Sequence, residues 1–356
     1  MPYVELHAHS AYSFLDGASL PEELALRAAE LGYEALALTD HDGVYGSLEF
    51  AHAAKSFGIR AITGAEVTLT DGSHLTLLVE NERGYANLCR LLTRAHRDTR
   101  TPGRERELHP PALPLEELLA RADGLVCLTG CARHGLAARN PNALAALVPA
   151  FGRDRLYVEL QRPYARGDVR RNKHLRQLAE TLRLDTVVTG DVHAHHPRRI
   201  QLQDVLVAIR AHASLEACEP ERRGNRECAL IPPDDVARRF PEPDAVARTG
   251  ELAQRLEFDL TKELGYRYPD FSEGTEPAIR QLAQVCEHAF AERYPRRTAL
   301  QRKARARLDE ELQLIDELGL AGFFLLHWEV LELAREVAVE VRGASPRSSL
   351  PPGRGR

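Results

Sequence analysis

The sequence has no excess of basic charge: 47 Lys+Arg stand against 52 Asp+Glu, a net charge of -5 over 356 residues. Binding of nucleic acid through the field of the whole chain is thereby excluded, and any such contact must be a local patch. Cysteine is sparse. The six, at Cys89, Cys127, Cys131, Cys218, Cys228 and Cys286, lack the dense regular spacing of a disulfide-stapled secreted domain, so the chain reads as cytoplasmic. No apolar run approaches the roughly 18 residues that a bilayer span needs. The start, Met1-Pro2-Tyr3-Val4-Glu5-Leu6-His7, has no basic flank leading into an apolar stretch and is not expected to be a signal peptide. A membrane role is not expected, and no repeat of fixed period is present.

What is there is ordinary globular composition, 44% hydrophobic and 28% charged, at a length that suggests about two domains. Up to about Asp204, short β-branched or apolar runs alternate with helical periodicity. Strands are expected at Val4-Glu5-Leu6, 35–39, 60–69, 74–79, 125–129, 156–160 and 186–189, with helices over 20–31, 46–57 and 83–97. Strands alternating with helices imply parallel βα units. With polar residues clustered just after the strands, a closed or nearly closed βα barrel is favoured. A doubly wound open sheet writes the same one-dimensional pattern. The Arg-, Thr- and Pro-rich stretch 97–115 is expected to be an exposed loop. Beyond about Asp204 the strand signal disappears and helices are expected over 244–256 and 276–320. The tail from Arg342 turns abruptly to Pro, Gly, Ser and Arg, which cannot bury enough apolar surface to fold alone.

Chemistry-bearing residues gather where strands end. His7 and His9, two apart at the end of a strand, project the same way and can clamp one ion. Asp16 follows seven residues after His9. A lone His-x-His is common by chance. In Leu38-Thr39-Asp40-His41-Asp42 a strand runs into three ionisable residues, the bland reading being a solvated turn with a capping Asp. Glu66 interrupts the apolar run Gly64-Ala65-Glu66-Val67, and a buried lone carboxylate needs a cation partner, metal or protein. His74 opens a strand and alone reads as a structural histidine. Cys131 follows a strand in Leu128-Thr129-Gly130-Cys131; the usual fate of a free cysteine is a small buried hydrophobe. Asp191 and His193 in Gly190-Asp191-Val192-His193 repeat the i, i+2 spacing. Singly these signals are weak, but a βα barrel gathers strand ends onto one rim. Nine candidates are enough for two or three divalent ions, with imidazole suiting zinc, manganese or iron. Such a site supplies a nucleophile near neutral pH and clamps a phosphoryl group.

At these residues the sequence resembles the PHP family, named for polymerase and histidinol phosphatase, over about residues 3 to 210. The resemblance implies a distorted (β/α)7 barrel with a trinuclear metal site. His7, His9 and Asp191 would hold one ion, Glu66 would bridge it to a second held by His74 and Cys131, and Asp16, His41 and His193 would hold the third. Tyr12-Ser13-Phe14-Leu15-Asp16-Gly17-Ala18-Ser19, His74-Leu75-Thr76-Leu77-Leu78 and Gly84-Tyr85-Ala86-Asn87-Leu88 are similar to bacterial DNA polymerase III alpha subunits, most like the error-prone type. Gly322-Phe323-Phe324-Leu325-Leu326-His327-Trp328-Glu329-Val330 resembles the segment by which those polymerases enter their palm; its bland reading is a buried helix. The expected organisation is a phosphoesterase domain at 1–210, a mostly helical polymerase-like region at 211–341 and an aberrant or disordered tail at 342–356. Where the family continues into the palm carboxylates, this sequence turns into the Pro-rich tail, so a chain cut off before the palm and without polymerase activity is expected.

Three readings of function follow. The first is a metal-dependent 3′-5′ exonuclease acting on DNA 3′ ends, as a proofreading module in replication or repair synthesis, with the remainder of the polymerase and replication or mutagenesis factors as partners. The second is a metal-stabilised, non-catalytic structural module of the polymerase. The third is a free-standing phosphatase of the histidinol-phosphate type, against which the polymerase-like helical region counts.

Overall fold

Six strands make one curled sheet, and their order explains where the site sits. In chain order the strands are β1 (Ala35–Leu38), β2 (Arg60–Thr68), β3 (His74–Val79), β4 (Arg100–Thr101), β5 (Arg104–Leu108), β6 (Leu125–Leu128), β7 (Leu156–Gln161) and β8 (Asp185–Thr189). This computed structural model describes residues 3–101, 104–219, 221–262, 276–296 and 298–342. The sheet runs β1-β2-β3-β6-β7-β8, while β4 and β5 pair separately. The chain divides into two compact units, Met1–Leu264 and Gly265–Arg356.

The α/β class with a helical region after it is as expected, but three local expectations are corrected. The sheet is not wholly parallel: β3 runs antiparallel to both β2 and β6, because the five residues between β2 and β3 allow a hairpin and are too few for a crossover helix. Val4-Glu5-Leu6 is not a strand; it is tied by the single bridges Glu5↔Leu36 and Ala8↔Val192. The segment therefore touches the β1 edge and the chain just past β8 without building a ladder to either. The stretch 97–115 is no structureless loop, since β4 and β5 form a two-stranded hairpin within it.

The continuous burial of the strands has two sources. On one face, Leu36, Leu38, Val67, Leu75, Leu77, Cys127, Val158 and Val188 pack into the larger apolar cluster together with helix residues such as Leu24, Phe50, Leu88, Leu91 and Leu147. On the other, Ala35, Ala37, Ile62, Leu78, Val126, Leu128, Tyr157 and Val187 form a second cluster with Leu252, Ala253 and Leu256, from the helix Pro243–Arg255 and its cap. Strands covered on both faces read as unbroken apolar runs. That helix is fixed further by Val4 N donating to Thr249 Oγ1 at 3.0 Å and by Arg60 Nη1 donating to the Ala253 carbonyl at 2.6 Å.

Along the inner face the side chains change character. Period two carries Ile62 to Gly64 to Glu66 on β2, Leu78 to Thr76 to His74 on β3, Tyr157 to Glu159 to Gln161 on β7, and Val187 to Thr189 to Asp191 through β8. One end is apolar and closed by the helix Pro243–Arg255. The other end is polar, and every one of these polar residues but His74 is buried or nearly so.

The second unit holds helices Ala278–Arg293, Ala299–Glu317 and Ala321–Arg342. Thr298 caps the middle one, its side chain accepting from Gln301 N at 3.1 Å. Its core is small: Leu282, Ala321 and Leu325, with Ile279, Val285, Leu312 and Ile315 partly buried against them. The expected tail, apart from Arg342, lies outside the described residues. Among the described residues, no helix is long and apolar enough to cross a membrane.

Candidate metal centre

The strand-end residues converge. His7 and His9 bring their Nε2 atoms within 3.1 Å of each other. Glu66 presents Oε1 at 3.7 Å from His7 Nε2 and Oε2 at 3.6 Å from His9 Nε2. Asp191 Oδ1 lies 3.8 and 3.6 Å from the same two nitrogens. Four ligand atoms about 2.1 Å from a tetrahedral ion stand about 3.4 Å apart, so these separations are close to those of a coordination shell, and the carboxylate contacts are too long for hydrogen bonds.

Glu66 serves a second group, with Oε1 at 3.4 Å from His74 Nδ1 and Oε2 at 3.0 Å from His41 Nδ1. A third forms where Asp16 Oδ2 meets His41 Nε2 at 3.2 Å and His193 Nε2 at 3.1 Å. Three sets each keep their ligand atoms within 4.8 Å: His7, His9 and Glu66; His41, Glu66 and His74; and His9, His41 and His193. Cys131, like Asp16 and Asp191, belongs to none of these tight sets. It lines the same cavity, of about 520 Å³, with Asp16, His41, Glu66, His74, Asp191 and His193.

Local backbone holds the cluster. Asp42 and Asp191 both sit at positive φ, 48° and 50°, a conformation that persists only where its surroundings fix it. Gly130, at φ 87°, precedes Cys131 where a Cβ would stand 2.1 Å from the His74 carbonyl oxygen; only glycine lets β6 end there. Asp40 ties the His9 loop to β1, accepting from Ser10 N, Ser10 Oγ and Ser13 Oγ at 2.7 Å each.

The electrostatics are those of acids and imidazoles buried side by side. Burial disfavours charge on Glu66, yet His41 and His7 hold its carboxyl well below the usual carboxylate range. Burial likewise opposes charge on Asp191, where Arg223 and His193 win and keep it low. His9 is pushed well below the usual imidazole value by burial and by His41 and His193. His41 moves the other way, up to about 9, because Glu66 and Asp16 outweigh its burial. Burial, Glu66 and Asp191 all raise the Cys131 thiol. Glu66 Oε1 and Oε2, Asp191 Oδ1 and His74 Nδ1 are buried without hydrogen-bond partners. Four such orphans in one pocket would be costly, and divalent ions would satisfy all of them. The residues present thus fit bound metal, and the clusters are capable of coordinating divalent ions.

Two residues escaped the sequence reading. Glu159, buried on β7, accepts from His7 Nδ1 at 2.6 Å, Gln161 Nε2 at 2.7 Å and Thr189 Oγ1 at 2.5 Å. A carboxylate on one imidazole nitrogen fixes the other as a lone-pair donor. Its signal was legible: an acid inside Leu156-Tyr157-Val158-Glu159-Leu160 is the same interruption that marked Glu66. Arg223 donates from Nη1 to Asp191 Oδ2 at 2.7 Å and from Nη2 to His193 Nε2 at 2.6 Å. It arrives from a stretch without periodicity, and no sequence pattern announced it.

A curled α/β sheet with clustered histidines and carboxylates at its polar end defines the class, and the PHP domain profile matches residues 5–163. The profile of the bacterial DNA polymerase III alpha NTPase domain matches residues 280–350. The error-prone DNA polymerase of Symbiobacterium thermophilum is 38% identical over 364 aligned positions, covering 96% of this chain and 33% of that protein. That of Mycolicibacterium paratuberculosis is 35% identical, covering 98% and 33%. The chain carries a PHP domain and a polymerase III alpha NTPase segment, and along nearly all of its own length it is similar to bacterial error-prone DNA polymerases. It spans about a third of the length of these curated relatives. An amidohydrolase from Chromobacterium violaceum, solved with bound sulfate and no metal, is similar at 20% identity and a TM-score of 0.38, over 54% of this chain and 87% of that one.

Proposed function

We propose that the chain is a metal-dependent phosphoesterase module of an error-prone polymerase III alpha subunit, hydrolysing the terminal phosphodiester at DNA 3′ ends. One observation carries this reading: Glu66 lies between two histidine groups with both carboxylate oxygens buried and without hydrogen-bond partners. We assign residues 1–210 to the phosphoesterase domain and 211–341 to the polymerase-like region, and we read the bridged segment at Glu5 and Ala8 as the seventh member of a (β/α)7 barrel. His7, His9 and Asp191 would hold one ion, His74 and Cys131 a second shared through Glu66, and Asp16, His41 and His193 a third. Zinc, manganese or iron suits this mixture of imidazole and carboxylate.

Bound there, such ions would supply a nucleophile near neutral pH and offset charge on a phosphoryl group. The chain's own part is to hold the ligands in place. Glu159 keeps the His7 ring turned with Nε2 toward the pocket, and His193 Nδ1, donating to the Asp191 carbonyl at 2.8 Å, turns its Nε2 toward Asp16 and Arg223.

Purified protein with manganese or zinc should release nucleotides from a 3′-labelled DNA strand, and His9→Ala should cut that release by at least about a hundredfold, the scale of losing an electrostatic catalytic element. Equal release by the variant rejects the reading. A structural role for the ions has its own support, since residues 4–9 meet the sheet edges through isolated bridges rather than a ladder; tight metal binding with no turnover on DNA ends or on histidinol phosphate would favour it.

A further inference from the structure

Arg223 is built into the candidate centre as firmly as the ligands are. Arg133 donates from Nη1 to the Glu221 carbonyl at 2.6 Å and from Nη2 to the Arg222 carbonyl at 2.7 Å. Asn225 Nδ2 donates to the Pro163 carbonyl at 2.7 Å, and His193 N donates to the Cys228 carbonyl at 2.7 Å. The loop is thus pinned on both sides of Arg223, and the guanidinium lies against Asp191 and His193.

A guanidinium cannot deprotonate and has no acceptor. The 2.6 Å contact from its Nη2 is a hydrogen bond in the tautomer with a lone pair on His193 Nε2, the one in which His193 Nδ1 donates to the Asp191 carbonyl, and Asp16 Oδ2, 3.1 Å from the same nitrogen, then stands beside that lone pair as a fellow ligand. That lone pair is the one His193 would offer to an ion shared with Asp16 Oδ2 and His41 Nε2. One lone pair cannot serve an ion and an N–H at once. By contrast Arg223 takes Oδ2 of Asp191 and leaves Oδ1, the oxygen beside His7 and His9, without a hydrogen-bond partner. The guanidinium blocks one position and spares the others.

We propose that Arg223 is an internal cation that occupies His193 in place of the third ion, so that the centre takes two ions tightly and a third only by displacing this arginine. Here the proposal rests on the metal reading above. The exchange replaces a single positive charge by a double one: Asp16, Glu66 and Asp191 face either two divalent ions and a guanidinium or three divalent ions. Loading of the third position is then set by competition within the chain, and the concentration of free metal decides which state prevails.

Equilibrium dialysis of the whole chain against graded Mn²⁺, with elemental analysis, tests this without reference to activity. The wild type should hold two ions per chain tightly and a third more weakly. Arg223→Met, close in size and uncharged, should bind the third at least about tenfold more tightly, the scale of one charge-assisted hydrogen bond removed, with the first two changed by less than about threefold. Arg223→Lys, which keeps the charge but loses the fork, should fall between them and decides the matter if the methionine variant does not fold. Two tight ions with an unchanged or weaker third ion in the variants overturns the displacement and leaves Arg223 as a support for Asp191. A wild-type chain that takes up no Mn²⁺ removes the metal reading itself and this proposal with it.

Discussion

The two units use burial in opposite ways. In Met1–Leu264 the inner face of the sheet runs from Ile62, Leu78 and Val187 to Glu66, His74 and Asp191, and the polar end is as buried as the apolar one: His7, His9, Thr76, Glu159 and His193 are all 1% exposed or less. In the helices after residue 276 the buried hydrophobic side chains among the described residues are Leu282, Phe290, Ala321 and Leu325, while Phe324, Trp328, Leu331, Leu333 and Val337 are each more than 40% exposed. The first region encloses polar atoms without hydrogen-bond partners; the second exposes apolar ones. Unsatisfied buried ligands are expensive to fold around unless something binds them, so stability in the first unit should depend on ions, whereas in the second it should depend on helix formation and a small apolar core.

Removing metal gives the largest contrast. Chelation should lower the stability of the first unit by about 3 kcal/mol for each ion present at a hundredfold its dissociation constant. Trp328, the single tryptophan of the chain, reports only on the helical unit. Differential scanning calorimetry should show the main transition falling with chelator while the fluorescence transition of Trp328 stays where it was; equal shifts in both would break the comparison. Next in size is truncation of the core. Leu77→Ala, fully buried on β3, should cost about 2–5 kcal/mol, against about 0.5 kcal/mol or less for Leu331→Ala, which is 58% exposed. Urea denaturation of the two variants measures both, and comparable losses would show that the helical face is covered in solution. The smallest effect isolates orientation from ligation. Glu159→Gln keeps the shape but not the charge beside His7, and metal affinity should fall about tenfold with the fold intact by circular dichroism. An unchanged dissociation constant by calorimetric titration would make Glu159 a packing residue.

The strand ends could be read from sequence because the polar residues there interrupt runs that are otherwise apolar, and because i, i+2 spacing commits two side chains to one face. His7, His9, Glu66, Asp191 and His193 were visible on those grounds. Asp16, His41 and His74 were candidates on weaker local grounds, and the family resemblance assigned them to particular ions. Cys131 stands off the three tight ligand sets although it lines their cavity, a distance that no spacing argument could supply. Arg223 was hidden for a physical reason: it reaches Asp191 and His193 from a loop whose course is set by Arg133 and Asn225, contacts of tertiary origin with no local pattern. The antiparallel turn of β3 lay in the length of the β2–β3 connection, whereas the reduction of Val4-Glu5-Leu6 to single bridges depends on how the two edges of the sheet approach one another.

Everything turns on whether residues from His7 to His193 form one pocket for several ions. Crystals of the purified chain grown with Mn²⁺ and measured at the manganese absorption edge locate the ions directly. At least two anomalous peaks should appear, one bounded by His7, His9, Glu66 and Asp191 and a second against Glu66 and His74. A single peak elsewhere on the surface, or none in this cavity at saturating Mn²⁺, would contradict the account.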